Sequence, residues 1–119
     1  MGDLTKDFNK SEFVCKHCGR IRINIKLVNA LQKLRDNVNK PIKINSAYRC
    51  LDHNRSIGSD DTSQHIKGNA ADIVIKGLTP KEVAKIAETI PVFKDGGIGI
   101  YKTFTHVDVR SNGPARWTL

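Results

Sequence analysis

From Asn24 to Val38, apolar residues Leu27, Val28, Leu31, Leu34 and Val38 recur at helical spacing, while Lys26, Lys33 and Arg35 fall off that face. The pattern predicts a core helix, capped by Asn24 and ended ahead of Pro41, which disfavours helix in the residue before it. Ile42 to Ser46 then alternates apolar and polar, as a half-buried strand does. Leu51 to Thr62 is polar, contains Gly58, Asp60 and Asp61, and reads as an irregular loop with solvated aspartates. Asp72 opens a short strand rich in branched side chains, with Asp72 and Val74 on one face and Ile73 and Ile75 on the other.

Thr79-Pro-Lys-Glu82 is a strong helix start, with Thr79 as cap, Pro80 in the first turn and Glu82 closing a capping box. Val83, Ile86 and Ile90 form its buried stripe, and Pro91 stops it. Ile98–Tyr101 and Thr105–Val109 read as two strands of a hairpin, so that His106 and Asp108 share one face. At the N-terminus, Asn9 to Glu12 is a weak helix start that Phe8 and Phe13 can pin to the body. The tail, Ser111 to Leu119, carries turn residues and Trp117, which is expected to close over the core.

These elements fit a single domain of 119 residues, in which residues 1–20 form a short appendage with a CxxC turn. Charged residues make up 27% and hydrophobic ones 39%, the balance of a folded domain rather than a disordered chain. No apolar run approaches the roughly 20 residues of a membrane-spanning helix. The net charge of +8 points to anionic company, either nucleic acid or acidic wall polymers. The basic residues are spread along the chain, and the few aromatics do not alternate with them, which argues against a nucleic-acid platform. The polar N-terminus has no apolar core of a secretory signal, and the three cysteines cannot all pair internally. Together they predict synthesis in a reducing cytoplasm.

The chemistry concentrates between Ser63 and Ile75. His65 stands seven residues before Asp72, with Gly68 able to supply a positive φ and Ala70 and Ala71 allowing close packing. His106 joins them from the C-terminal hairpin. Two imidazoles and one carboxylate make a catalytic zinc set, because such sites use three protein ligands and leave a position for water. Arg49 sits just past a strand end, where it is either an ordinary surface arginine or a clamp for a carboxylate. Cys15 and Cys18 have the gap of a zinc knuckle, which Cys50 and His53 could complete. The same residues also fit a turn of buried thiols or a redox pair.

The segments SAYRC with a following asparagine, SQHIKGNAADI, GGIGIY and THVDVR resemble the zinc D-Ala-D-Ala carboxypeptidases. That family includes bacteriophage peptidoglycan peptidases and shares a fold with the Hedgehog signalling domain. The resemblance runs from about the EFVC segment to VDVR. It implies an α+β fold, a small antiparallel sheet backed by helices. It implies zinc held by His65, Asp72 and His106, and a substrate contacted by Arg49 and Ser63. The implied activity is a zinc peptidase on the stem peptides of peptidoglycan, as carboxypeptidase or endopeptidase. Separately, the chain is expected to be a monomer. The missing signal then fits a phage endolysin or a virion part that reaches the wall after release.

Family members carry the general base as a carboxylate three residues before the last ligand, or as a histidine two before it. Here those positions hold Thr103 and Phe104. Asp108 is left as the default catalytic base, or as the partner that orients His106. A rival expectation is a zinc module that binds wall peptide or a protein without cutting it. A third is a nucleic-acid protein built on the CKHC knuckle.

Overall fold

In the computed structural model, which describes residues 4–59 and 63–119, the apolar stripe from Leu27 to Leu34 lies on helix α1, Ile25–Val38. Asn24 caps it by accepting from the Lys26 amide at 3.0 Å. Strand β1, Ile42–Ser46, follows, then a short helix α2, Leu51–Ser56, where the sequence led us to expect an irregular loop. No apolar stripe marks α2. The Cys50 sulfur caps it by accepting from the His53 amide at 3.4 Å, and Asn54 is buried beneath it. The expected turn at Asp60 and Asp61 lies outside the described residues.

Strand β2, Ala70–Ile75, leads into α3, Pro80–Ala87, whose Thr79 and Glu82 form the anticipated capping box. The helix ends at Ala87, ahead of the expected stop at Pro91, and Pro91 instead opens a further turn of helix, α4, Pro91–Lys94, since proline suits a first helical position. Strands β3, Gly97–Ile100, and β4, Thr105–Asp108, form the hairpin. A fifth strand, β5, Ala115–Thr118, completes the sheet in the order β1-β2-β4-β3-β5.

The first four strands pair antiparallel, as expected, whereas β5 runs parallel to β3. The sheet is therefore mixed. Residues 109–114 carry the chain from the end of β4 back to the start of β3, so the tail runs alongside β3 in the same direction. Phe13, Leu31, Leu34, Ile73, Ile75, Val83, Phe93 and Val107 are buried in one core with the sheet. Phe8 and Phe13 meet edge to face with ring centroids 6.1 Å apart. Trp117, expected over the core, instead lies on β5 against Gly99.

The register sets one row across all five strands. Ser46 pairs with Asp72, Asp72 with His106, His106 with Gly99, and Gly99 with Trp117. Because side chains alternate along strands, the neighbouring row on the same face is Ala70, Asp108, Gly97 and Ala115. The glycines are there for space. A Cβ on Gly97 would overlap the Asp108 carboxylate, and one on Gly99 would overlap the Trp117 indole.

Gly99→Ala is therefore expected to destabilise the fold by about 1–3 kcal/mol, an overpacking cost. A thermal melt should fall by roughly 4–8 °C per kcal/mol. The double change Gly99→Ala with Trp117→Ala should cost less than the sum of the two single changes, which a double-mutant cycle checks.

Candidate metal centre

Asp72 and His106 are directly opposed on neighbouring antiparallel strands, an arrangement that brings Cβ atoms within about 5 Å. His65 reaches the same point from a turn spanning residues 64–68. That turn is tied down on several sides. Gly68 takes φ +74. Asn69 bonds Gln64 through both its backbone amide and its side chain, each at 3.1 Å. The Arg49 amide donates to the His65 carbonyl at 3.2 Å.

The result is a tight donor set. His65 Nε2 and His106 Nδ1 each lie 3.2 Å from Asp72 Oδ1. Ligand atoms of all three residues fall within 4.8 Å of one another, and all three side chains are buried. The outward nitrogen of each imidazole is occupied. His65 Nδ1 stands 2.6 Å from the Ala47 carbonyl oxygen, and His106 Nε2 stands 2.7 Å from Asp108 Oδ2. A carbonyl and a carboxylate can only accept, so these two nitrogens carry the hydrogens. In its neutral form each ring therefore turns a lone pair inward, toward the anionic oxygen. Three such donors facing one another call for a cation between them.

The titration behaviour agrees. Burial pushes His65 below its usual imidazole value, which keeps it neutral. Burial alone would lower His106 too, but its bonds to Asp108 and then Asp72 outweigh it and hold the ring above its ordinary value. Burial would raise Asp72, yet the His106 and His65 imidazoles beside it win and hold the carboxyl far below the usual carboxylate range. Positive charge is thus favoured between His106 and Asp72. A divalent ion bound by two imidazole nitrogens and a carboxylate oxygen satisfies that preference.

Around the donors lies a cleft of about 490 Å³, whose walls include Arg49, Ser63, Tyr101, Phe104, Arg110 and Trp117. Arg49 is only 8% exposed. Its Nη2 donates to Asp72 Oδ2 at 3.2 Å, its Nη1 to Asn54 Oδ1 at 3.2 Å and its Nε to Ser46 Oγ at 3.1 Å. Asp72 is thereby divided, one oxygen toward the histidines and the other toward Arg49. Ser63 stands on the cleft wall, with its hydroxyl accepting from the His65 amide at 3.2 Å.

Asp108 is fully buried and does not line the cleft. It lies behind His106, on the side away from Asp72. Besides His106 it accepts from the Gly97 amide at 2.8 Å, the Arg110 amide at 3.1 Å and, in a fork, Arg110 Nε at 2.9 Å and Nη2 at 2.7 Å. Arg110 in turn lies 5.4 Å from the Trp117 ring centroid, and that ring is 4.9 Å from the His106 ring. Among the described residues, Asp72 is the one carboxylate on the cleft wall.

The sequence reading passed over Tyr101, Arg110 and Trp117. Tyr101 stacks on Phe104 with centroids 4.4 Å apart and accepts from Trp117 Nε1 at 2.9 Å. Arg110 had a legible signal, since it follows Asp108 by two residues at the end of a strand. Trp117 had none, because its place depends on β5 pairing with β3.

A family model described as peptidase M15 matches residues 3–108. A curated relative, the peptidoglycan L,D-endopeptidase MepK of Escherichia coli strain K12, is 37% identical over 84 residues, which cover 65% of this chain and 43% of the relative. MepK of Escherichia coli O157:H7 and of Shigella flexneri match with the same identity and coverage. The chain thus spans less than half the length of the curated relatives it matches. The match runs over most of the chain and takes in the donor set and its supports, and we conclude that the chain belongs to the M15 family of peptidases.

Proposed function

We propose that the chain is a zinc-dependent endopeptidase acting on the stem peptides of bacterial peptidoglycan. The observation that carries the reading is the convergence of His65, Asp72 and His106 on the wall of a cleft of about 490 Å³. The relatives' printed activity, cleavage of an L,D bond in peptidoglycan, supports internal cleavage over removal of a terminal residue. The net charge of +8 suits a substrate held in an anionic wall.

Two imidazoles, one carboxylate and an open side suit zinc in a catalytic site. When bound there, zinc supplies a Lewis acid for a peptide carbonyl and a water of lowered pKa. The chain's own residues do the rest. Arg49 uses three of its five N–H groups on Ser46, Asn54 and Asp72, which leaves two for a carboxylate or carbonyl of the stem peptide. Ser63 offers a hydroxyl on the same wall. Tyr101 accepts from Trp117, so its own hydrogen is available to a carbonyl oxygen of the bound peptide. Phe104 and Trp117 supply apolar walls that exclude water from the scissile bond.

Asp108 serves in this reading as the partner that orients His106, not as the proton acceptor. It is buried, is saturated by donors and faces the wrong side of the ring. The alternative of a metal module that binds wall peptide without cutting draws on the same observation, since the cleft's described carboxylate is already a ligand. Turnover separates the two.

Zinc-loaded protein should release new fragments from purified peptidoglycan, seen by chromatography and mass spectrometry. Chelation or His65→Ala should abolish that release. A bound, zinc-loaded protein that releases nothing would support the non-cutting module.

Asp108→Asn should weaken metal binding at this centre by about 10–100-fold, the usual effect of losing such a partner. Unchanged zinc affinity with turnover gone would instead make Asp108 the proton acceptor. Arg49→Lys should raise KM by roughly tenfold while zinc content holds, because a lysine cannot reproduce the planar fork. Steady-state kinetics on a soluble stem peptide measure this.

A further inference from the structure

Outside the cleft stands a second group of metal-binding side chains. The sulfurs of Cys15, Cys18 and Cys50 lie within 4.8 Å of one another, and all three are free thiols. Cys15 and Cys18 share a tight turn. The Gly19 amide donates to the Cys15 carbonyl at 2.8 Å, the Cys15 amide donates to the Arg20 carbonyl at 2.7 Å, and Gly19 takes φ +73 to close the loop. Cys50 arrives from the opposite side as the cap of α2. Its amide donates to the Cys15 sulfur at 3.4 Å, while its own sulfur accepts from the His53 amide at 3.4 Å.

A fourth donor is at hand. His17 Nδ1 stands 3.6 Å from the Cys50 sulfur, and the His53 ring stacks on His17 with centroids 5.7 Å apart. Sulfurs around a tetrahedral zinc at a Zn–S distance of about 2.3 Å are separated by about 3.8 Å. The observed sulfurs, within 4.8 Å of one another, fit that spacing. A disulfide needs a separation of about 2 Å and would leave the third thiol unpaired.

We propose that Cys15, Cys18 and Cys50, closed by the imidazole of His17, form a second, structural zinc site. Three thiolates and one imidazole fill all four positions, leaving no place for substrate, and soft sulfur ligands favour zinc over the hard cations. The site ties residues 13–20 to the segment that begins α2. Arg49 directly precedes Cys50, and Asn54 lies on the helix that Cys50 caps, so the ion holds the strap that carries Arg49, which donates to Asp72, and Asn54, which accepts from Arg49. None of its ligands lines the cleft. The proposal stands on this cluster alone and does not require the peptidase reading.

The full chain, purified with zinc, should contain two metal ions per molecule by elemental analysis. A His65→Ala/His106→Ala chain, emptied at the first centre, should keep one. Cobalt substituted into that variant should show sulfur-to-metal charge-transfer absorption and the visible bands of a tetrahedral ion. Cys18→Ser, at an exposed position, should weaken the charge-transfer band, and His17→Ala should shift the visible bands. The three thiols should resist a thiol reagent until chelator is added. Cys15 is buried and its replacement could unfold the chain, but the cobalt spectrum with all three cysteines intact needs no such variant. Absence of metal and of charge-transfer absorption in the His65→Ala/His106→Ala chain would overturn the site. So would three freely reactive thiols in metal-loaded protein. Visible bands moved by His53→Ala and indifferent to His17→Ala would overturn the assigned fourth ligand.

Discussion

Everything at the centre depends on one cross-strand pair, Asp72 opposite His106 in the middle of the sheet. The two side chains stand on one face because the strands pair antiparallel in this register and no other. A slip of one residue would send either to the core face, into the space held by Ile73 or Val107. The apolar packing beneath the sheet therefore does more than stabilise the fold. By specifying which residues point inward, it specifies which point outward into the cleft. His65 has no strand of its own to hold it, and its position is secured instead by the turn bonds to Gln64 and Asn69 and by the Ala47 carbonyl.

Charge is managed in two layers. The inner layer places anionic Asp72 between two imidazole nitrogens and a guanidinium. The outer layer places Asp108 behind His106, with Arg110 forked upon it. A buried carboxylate left without such partners would cost several kcal/mol, so removing one member of this chain unsettles the next. The outer layer also has a mechanical role. It holds the hydrogen of His106 on Nε2, which leaves Nδ1 to face the centre. The glycines of β3 make this possible, since Gly97 leaves room for the carboxylate and Gly99 leaves room for the Trp117 indole beside His106.

The cysteine cluster and the cleft meet through a short piece of chain, Arg49 to Asn54. Cys50 in that piece caps a helix with its thiol, and Arg49, held by Asn54, reaches Asp72. A fold of this size has limited apolar surface to bury. A local cross-link near the site is an economical way to keep an arginine from wandering.

The sequence by itself determined the local elements and the chemistry on offer. The stripe of α1, the alternation of β1, the capping box at Thr79 and the glycine-rich hairpin are written in neighbouring residues, and so is the spacing of His65 and Asp72. Tertiary structure decided what those residues do. His106 is 34 positions from Asp72, and only strand pairing brings them together. Which nitrogen of each histidine faces inward depends on Asp108, which strand alternation already puts on the His106 face, and on the Ala47 carbonyl, which no local pattern connects to His65. The fifth strand escaped notice because Ala115 to Thr118 offers one large apolar residue and borrows its order from β3. Helix α2 escaped because a sulfur cap and a buried asparagine hold it, not an apolar face. Local propensity acts over a few residues, whereas register, burial and the sharing of protons act across the sheet, and the centre is built from the latter.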